Sequence, residues 1–241
     1  MIRDILPRQV NRRIGRAMHD YAMLSDGDRV LVAVSGGVDS MVLAWLLRMW
    51  QEKAPISYVL HAVNIDGGFW NPEQGTIRPA EIIGAQMEVF GVDFSVEKGR
   101  VSAEDTRSCF FCARQRRNQL FDLARDGGYT KIALGHHKDD LVETLFLNML
   151  YSGNISTMVP RQDLFGGKLS LIRPLAYVEK NEIRAIAGRL GIRPVDNLCP
   201  LAGDTRREKV RRILGDIYSD VPGAKSSIFA SLANIRHDYI L

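Results

Sequence analysis

The sequence predicts an α/β fold built on a parallel sheet, with helical additions at both ends, from three observations. Short β-rich runs alternate with longer helical segments. The run Arg29–Val34 is continuously apolar after its first residue and stops at Ser-Gly-Gly, as a strand buried on both faces and feeding a tight turn does. No internal repeat or low-complexity linker breaks the 241 residues, so one α/β unit with appendages accounts for the length.

The elements follow in order. An amino-terminal helical segment occupies residues 1–27. After the strand at Arg29–Val34, Ser40–Trp50 reads as a helix, with Met41, Leu43, Ala44, Leu46 and Leu47 forming a broad apolar face. Ile56–Ile65 is a second strand, Ile82–Phe90 a helix and Val92–Val96 a short third strand. Cys109–Arg125 reads as a helix closed by Gly127-Gly128. Lys131–Leu134 is a fourth strand, followed by a helix over about Lys138–Tyr151. Gly153–Gly167 has few periodic apolar positions and reads as loop. Leu169–Ile172 is the last strand, stopped by Pro174; three helices then follow, at Glu179–Leu190, Thr205–Tyr218 and Ala224–Asp238. This divides the chain into 1–27, a core of 28–175, and a helical carboxyl-terminal part, 176–241.

Composition narrows the class of protein. There is no apolar run of roughly 20 residues, the length a membrane span needs. The arginine-rich start, Met1–Arg16, lacks the apolar stretch and cleavage site of a secretory signal. A cytoplasmic protein with no membrane partner is expected. The net charge of +4 suits a polyanionic partner, and arginines gather in the amino-terminal segment, at Arg114-Arg116-Arg117 and at Arg206-Arg207-Lys209-Arg211-Arg212. Each cluster alone is as readily a solvated helix face. Three cysteines argue against a disulfide framework and leave metal ligation, catalysis or burial.

The clearest chemistry is Ser35-Gly36-Gly37-Val38-Asp39-Ser40, between a buried strand and a helix. Glycines there let backbone N–H groups approach phosphate oxygens, and Ser35 and Ser40 add hydroxyls. Asp39 would repel phosphate by itself; it makes sense as a ligand to Mg²⁺. The pattern is neither Walker A nor the dinucleotide Gly-x-Gly-x-x-Gly. Asn64 and Asp66 end the second strand, where open α/β sheets gather ligand-binding residues, although Asn-x-Asp is also a common turn signal. Gly135-His136-His137-Lys138-Asp139-Asp140 follows the fourth strand and opens a helix. Its acidic residues suit helix capping, and the His/Asp grouping suits a zinc site. Cys109 and Cys112 have one-turn spacing, so two thiolates can meet one metal or each other; Cys199 joins them only through the fold.

Ser-Gly-Gly-x-Asp-Ser resembles the PP-loop of the N-type ATP pyrophosphatases, which split ATP into AMP and pyrophosphate on a Rossmann-like, adenine nucleotide alpha hydrolase-like fold. Gly-His-x-x-Asp-Asp-x-x-Glu-Thr resembles the second signature of the tRNA-modifying members. With Cys-x-x-Cys-x-Arg-x-Arg-Arg and Leu-Phe-Leu-Asn-Met-x-Tyr, the chain from about Val30 to Cys199 is similar to the tRNA 2-thiocytidine synthetases. That resemblance implies ATP at Ser35, Gly36, Gly37, Asp39, Ser40, Asn64, Asp66, Gly135, His136, Asp139 and Asp140. It implies Mg²⁺ at Asp39 and Asp140, and a [4Fe–4S] cluster on Cys109, Cys112 and Cys199. Asp39 and the three cysteines are then the catalytic set. tRNA is the implied substrate, with a sulfur donor protein or free sulfide as second partner and a homodimer as a family-level expectation. Two relatives in chemistry stay open: a uridine thiolase, and a PP-loop ligase with a nucleophile other than sulfur. A non-catalytic ATP- or RNA-binding module is the reading from another class.

Overall fold

The computed structural model describes residues 5–70, 77–100, 109–195, 198–199, 205–236 and 238. Their elements are α1 (Arg8–Asp20), β1 (Arg29–Ala33), α2 (Val38–Gln51), β2 (Val59–Asp66), α3 (Pro79–Phe90), β3 (Asp93–Lys98), α4 (Cys109–Asp126) and β4 (Lys131–Ala133). There follow α5 (Lys138–Ser152), β5 (Arg161–Leu164), β6 (Leu169–Ile172), α6 (Lys180–Leu190), α7 (Arg206–Asp220) and α8 (Ala224–Ser231).

The six strands form one sheet in the order β3-β2-β1-β4-β6-β5. All neighbours are parallel except β5, which pairs antiparallel with β6. The expected α/β architecture is therefore present. From β1 the chain builds outward to β3, then returns to lay β4 on the other side of β1. The strand order reverses there, and ligands of open α/β sheets sit beyond the carboxyl ends of the strands at such a point.

Successive strand residues point to opposite faces, and the core divides accordingly. Val30, Val32, Ala62, Ala133 and Ile172 face a large cluster with α1, α2, α3 and α6. Leu31, Val63, Ile132, Leu169 and Leu171 face Leu120 and Ala124 of α4. Helix α1 joins the first cluster through Val10, Ile14 and Ala17, one stripe at helical spacing. A third cluster, Val142 with Val210 and Leu214, fastens α7 to α5.

Three departures from the sequence-based expectations have physical causes. The segment read as loop over 153–167 contains β5, whose Arg-Gln-Asp-Leu sequence is mostly polar because it forms the sheet's edge. The second strand starts at Val59, not Ile56, because Ser57 is held by the Asp26 carboxylate (2.8 Å) and by Gly27 (2.8 Å). The last helix stops at Ser231 rather than Asp238. Its end tightens into i→i+3 bonds, with Leu232, Ala233 and Asn234 donating to Phe229, Ala230 and Ser231.

Candidate active site

The carboxyl ends of β1 and β4 bring two motifs together. Gly36 takes φ +86°, a left-handed conformation that lets the chain turn from β1 into α2. Gly37 is the N-cap of α2 with no side chain capping it, so the first-turn amides face outward as a helix-terminus anion site requires. Ser40 is buried and ties the loop to itself. Its hydroxyl donates to Gly37 O (2.9 Å), accepts from Ser35 N–H (3.1 Å), and lies 3.3 Å from the Ser35 hydroxyl. Gly135, two residues beyond β4, presses on this loop. A Cβ there would lie 2.9 Å from Ser40 N and 3.0 Å from Asp39 C, so only glycine admits the contact.

Next to it, buried His137 is the N-cap of α5, its backbone N–H bound by the Asp140 carboxylate. Its Nε2 lies 3.2 Å from Asp140 Oδ2 and 3.7 Å from Asp39 Oδ1, and its Nδ1 lies 3.6 Å from Asp139 Oδ2. Three carboxylates thus surround one imidazole whose Nδ1 is buried without a hydrogen-bond partner among the described residues. Asp139 accepts from Lys180 N–H (2.9 Å) and Lys225 Nζ (2.6 Å). Burial alone would raise its pKa; the His137 ring, Lys225 and the Lys180 amide outweigh that and hold it well below the usual carboxylate range. Asp140 accepts from His137 N–H (3.0 Å) and Arg207 (3.3 Å). Asp39 is clasped by Lys180, whose Nζ is 2.6 Å from Oδ1 and 2.5 Å from Oδ2. Asp39, His137, Asp139, Asp140, Lys180 and Lys225 line a cleft of about 560 Å³.

His136 also stands at the end of β4. Its Nδ1 accepts a hydrogen bond from Arg173 Nε (3.3 Å), which leaves the proton of a neutral ring on Nε2. Burial, then the Arg173 charge, pushes its pKa down to about 4. Asn64 is buried and donates to Val34 O (2.7 Å), clamping β2 to the start of the loop. Asp66 is drawn elsewhere: it accepts from Gly68 N–H (2.9 Å) and from Arg78 at 3.1 and 2.5 Å.

The cysteine segments converge on the same loop. Arg116, in the second turn of α4, shares a small cavity with Ser35 and Asn64. Cys112 is half-buried one turn earlier, about 6 Å along the helix axis. From the opposite direction, Val195 N–H donates to Gly36 O (3.0 Å). Half-buried Cys199 follows four residues later, so the chain carries it no further than about 14 Å from that anchor. Cys109 opens α4, and its side chain lies outside the described residues, as do residues 196, 197 and 200.

Sequence reasoning did not single out Lys180 or Arg173, and it named Arg207 only within a basic cluster suited to a polyanion, whereas the side chain turns to Asp140. Arg173 directly follows β6, so the strand-end rule that selected Asn64 and His136 would also have selected it. Lys180 is the first residue of α6, where the helix dipole disfavours a cation, and that misfit was its signal.

The donor chemistry can be matched to the implied groups. Mg²⁺ takes one or two protein carboxylates and completes its shell with phosphate oxygens and water. Asp39, with its side chain 26% exposed at the cleft, meets that description. No group of three His, Cys, Asp or Glu side chains among the described residues forms a ready-made cage. Cys112 and Cys199 are thiols on two segments that both reach the loop.

A family model described as a PP-loop domain matches residues 6–216. The chain belongs to the PP-loop family. Curated relatives carry the name tRNA-cytidine(32) 2-sulfurtransferase. That of Syntrophotalea carbinolica is 35% identical over 250 residues, covering 100% of this chain and 94% of the relative. That of Anaeromyxobacter sp. (strain K) is 37% identical over 245 residues, covering 98% and 82%. That of Geobacter metallireducens is 35% identical over 243, covering 97% and 92%. Among solved structures, the U34-tRNA thiolase NcsA from Methanococcus maripaludis, determined with its [4Fe–4S] cluster, superposes with a TM-score of 0.74. It is 20% identical and covers 98% of this chain and 82% of that one, a likeness of fold. The resemblance read from the motifs is borne out. Among the described residues no helix is long and apolar enough to cross a membrane.

Proposed function

We propose that this protein is an ATP-dependent tRNA sulfurtransferase that converts a cytidine to 2-thiocytidine. The observation that carries the reading is the meeting at one loop of three segments: Ser35–Ser40, the Cys-x-x-Cys helix through Arg116, and the Cys199 segment through Val195. Relatives at 35–37% identity over nearly the whole chain bear the corresponding name.

In this reading the first-turn amides of α2, with Ser35 and Ser40, hold the phosphates, and Asp39 would hold the Mg²⁺ that neutralises their charge. The cytidine O2 attacks the α-phosphorus; the bond to the bridging oxygen breaks and pyrophosphate leaves. Sulfide then attacks C2, and AMP departs with the former O2. His136 enters as a neutral hydrogen-bond donor through Nε2, its tautomer fixed by Arg173. Most of the rate comes from positioning and from stabilising the leaving groups' charge. Cys109, Cys112 and Cys199 would hold a [4Fe–4S] cluster, which would supply sulfide to the activated base. A sulfur donor protein or free sulfide would be the source of that sulfur. The exposed arginines Arg114 and Arg117 at the cysteine end of α4 are the proposed contacts to tRNA phosphates.

The test is release of AMP and pyrophosphate by anaerobically reconstituted protein with Mg²⁺ and ATP. Release that depends on tRNA supports the reading; release indifferent to tRNA across a full set of tRNAs opposes it.

A further inference from the structure

We propose that Lys180 is a phosphate-binding residue that, before nucleotide arrives, occupies the place of the divalent cation on Asp39. The inference rests on the ATP-dependent reading of the site and extends it to a residue outside both sequence motifs.

The loop Ser35–Ser40 contains no Lys or Arg, yet it faces a polyanion with a carboxylate of its own. The missing positive charge comes from 141 positions away. Lys180 Nζ lies 2.5 and 2.6 Å from the two Asp39 oxygens, a two-oxygen grip by a point charge. The position is costly for a lysine. It begins α6, where the dipole repels cations, and Arg184 and Lys225 line the same cleft. Its backbone is fixed by the bond from its N–H to Asp139 Oδ2. Among the described residues its side chain is held only by Asp39; it is 28% exposed and borders the 560 Å³ cleft. An anchored backbone with a flexible four-carbon stem lets the ammonium move while the helix stays in place.

The consequence is an exchange of partners. A divalent cation alone finds Asp39 already neutralised, and ATP alone finds its best counter-charge tied to Asp39. The metal–nucleotide complex brings a cation for Asp39 and phosphates for Lys180 together, so both charges remain paired throughout. The site thereby selects the complex over either component, and Lys180 ends on the departing pyrophosphate.

The experiment uses the full chain and Mn²⁺ as probe, read by electron paramagnetic resonance without nucleotide, alongside ATP binding by calorimetry in EDTA. Lys180→Met is expected to bind Mn²⁺ about tenfold more tightly than wild type and metal-free ATP about tenfold more weakly, the scale of one charge-assisted hydrogen bond. Lys180→Arg keeps both within about threefold, and Asp39→Asn in the Lys180→Met background cancels the gain in Mn²⁺ affinity. Unfolding curves identify any variant that does not fold, in which case Lys180→Gln replaces Lys180→Met. Unchanged Mn²⁺ affinity in the folded variant, or a gain that survives Asp39→Asn, overturns the proposal. Wild-type protein that does not bind Mn·ATP would instead overturn the ATP-dependent reading itself.

Discussion

Gly135→Ala probes the contact that joins the two motifs. The added Cβ would sit 2.9 Å from Ser40 N, 3.0 Å from Asp39 C and 3.1 Å from Ser40 Cα. All three are backbone atoms in the first turn of α2, so no side chain can rotate away and the loop or β4 must move. Overpacking of this kind costs about 1–3 kcal/mol. At ~2 kcal/mol the melting temperature of a chain this size falls by about 4–8 °C. The functional cost is larger than the stability cost, because the displaced atoms belong to the phosphate loop. A misplacement approaching 1 Å lowers turnover by about 100-fold. Gly188→Ala is the contrast: it lies within α6 with nothing inside 4 Å of its would-be Cβ, and alanine there should stabilise by about 0.5–1 kcal/mol. Differential scanning calorimetry and ATP turnover on both variants decide the matter. A Gly135→Ala protein with wild-type melting temperature and rate would refute the argument that this contact sets the loop.

Asp39→Ala should abolish ATP turnover while iron content after reconstitution is unchanged; undiminished pyrophosphate release would remove Asp39 from the metal-binding role. Cys199→Ala should lose the iron but keep ATP binding, and unaltered iron content would show that Cys199 is not a ligand. His136 carries a pH signature. Its folded pKa of about 4 lies below the ordinary 6.5, so between these values the unfolded chain binds a proton that the folded chain refuses. Stability from this group is fully present above about pH 6.5 and is lost as pH falls toward 4, by at most ~3 kcal/mol. Denaturant titrations of wild type and His136→Gln should converge across that window as pH falls; parallel curves would contradict the assignment.

The parts of the fold legible in the sequence were those carried by contiguous residues. Arg29–Val34 and Leu169–Ile172 announce buried strands because every residue, or nearly every one, is apolar. β5 has no such signal, since an edge strand is kept polar. The same division holds at the site. Ser35–Ser40 and Gly135–Asp140 are continuous, and the strand-order reversal sets them side by side. Lys180 reaches Asp39 across 141 positions and Arg173 reaches His136 across 37, so neither pairing leaves a local pattern. The arginines of α7 show how little a charge cluster says alone. Arg207 and Arg211 turn inward to Asp140 and Glu143, holding the helix against α5, while Arg206 lies over the Tyr151 ring. Only geometry separates such anchors from cations left to meet a polyanion.

The most direct measurement is nucleoside analysis by mass spectrometry of tRNA incubated anaerobically with cluster-reconstituted protein, Mg²⁺, ATP and sulfide. 2-Thiocytidine is expected, formed only with ATP and absent with Asp39→Ala or Cys199→Ala. Unmodified cytidine in every tRNA, from protein that holds its iron and binds ATP, would contradict it.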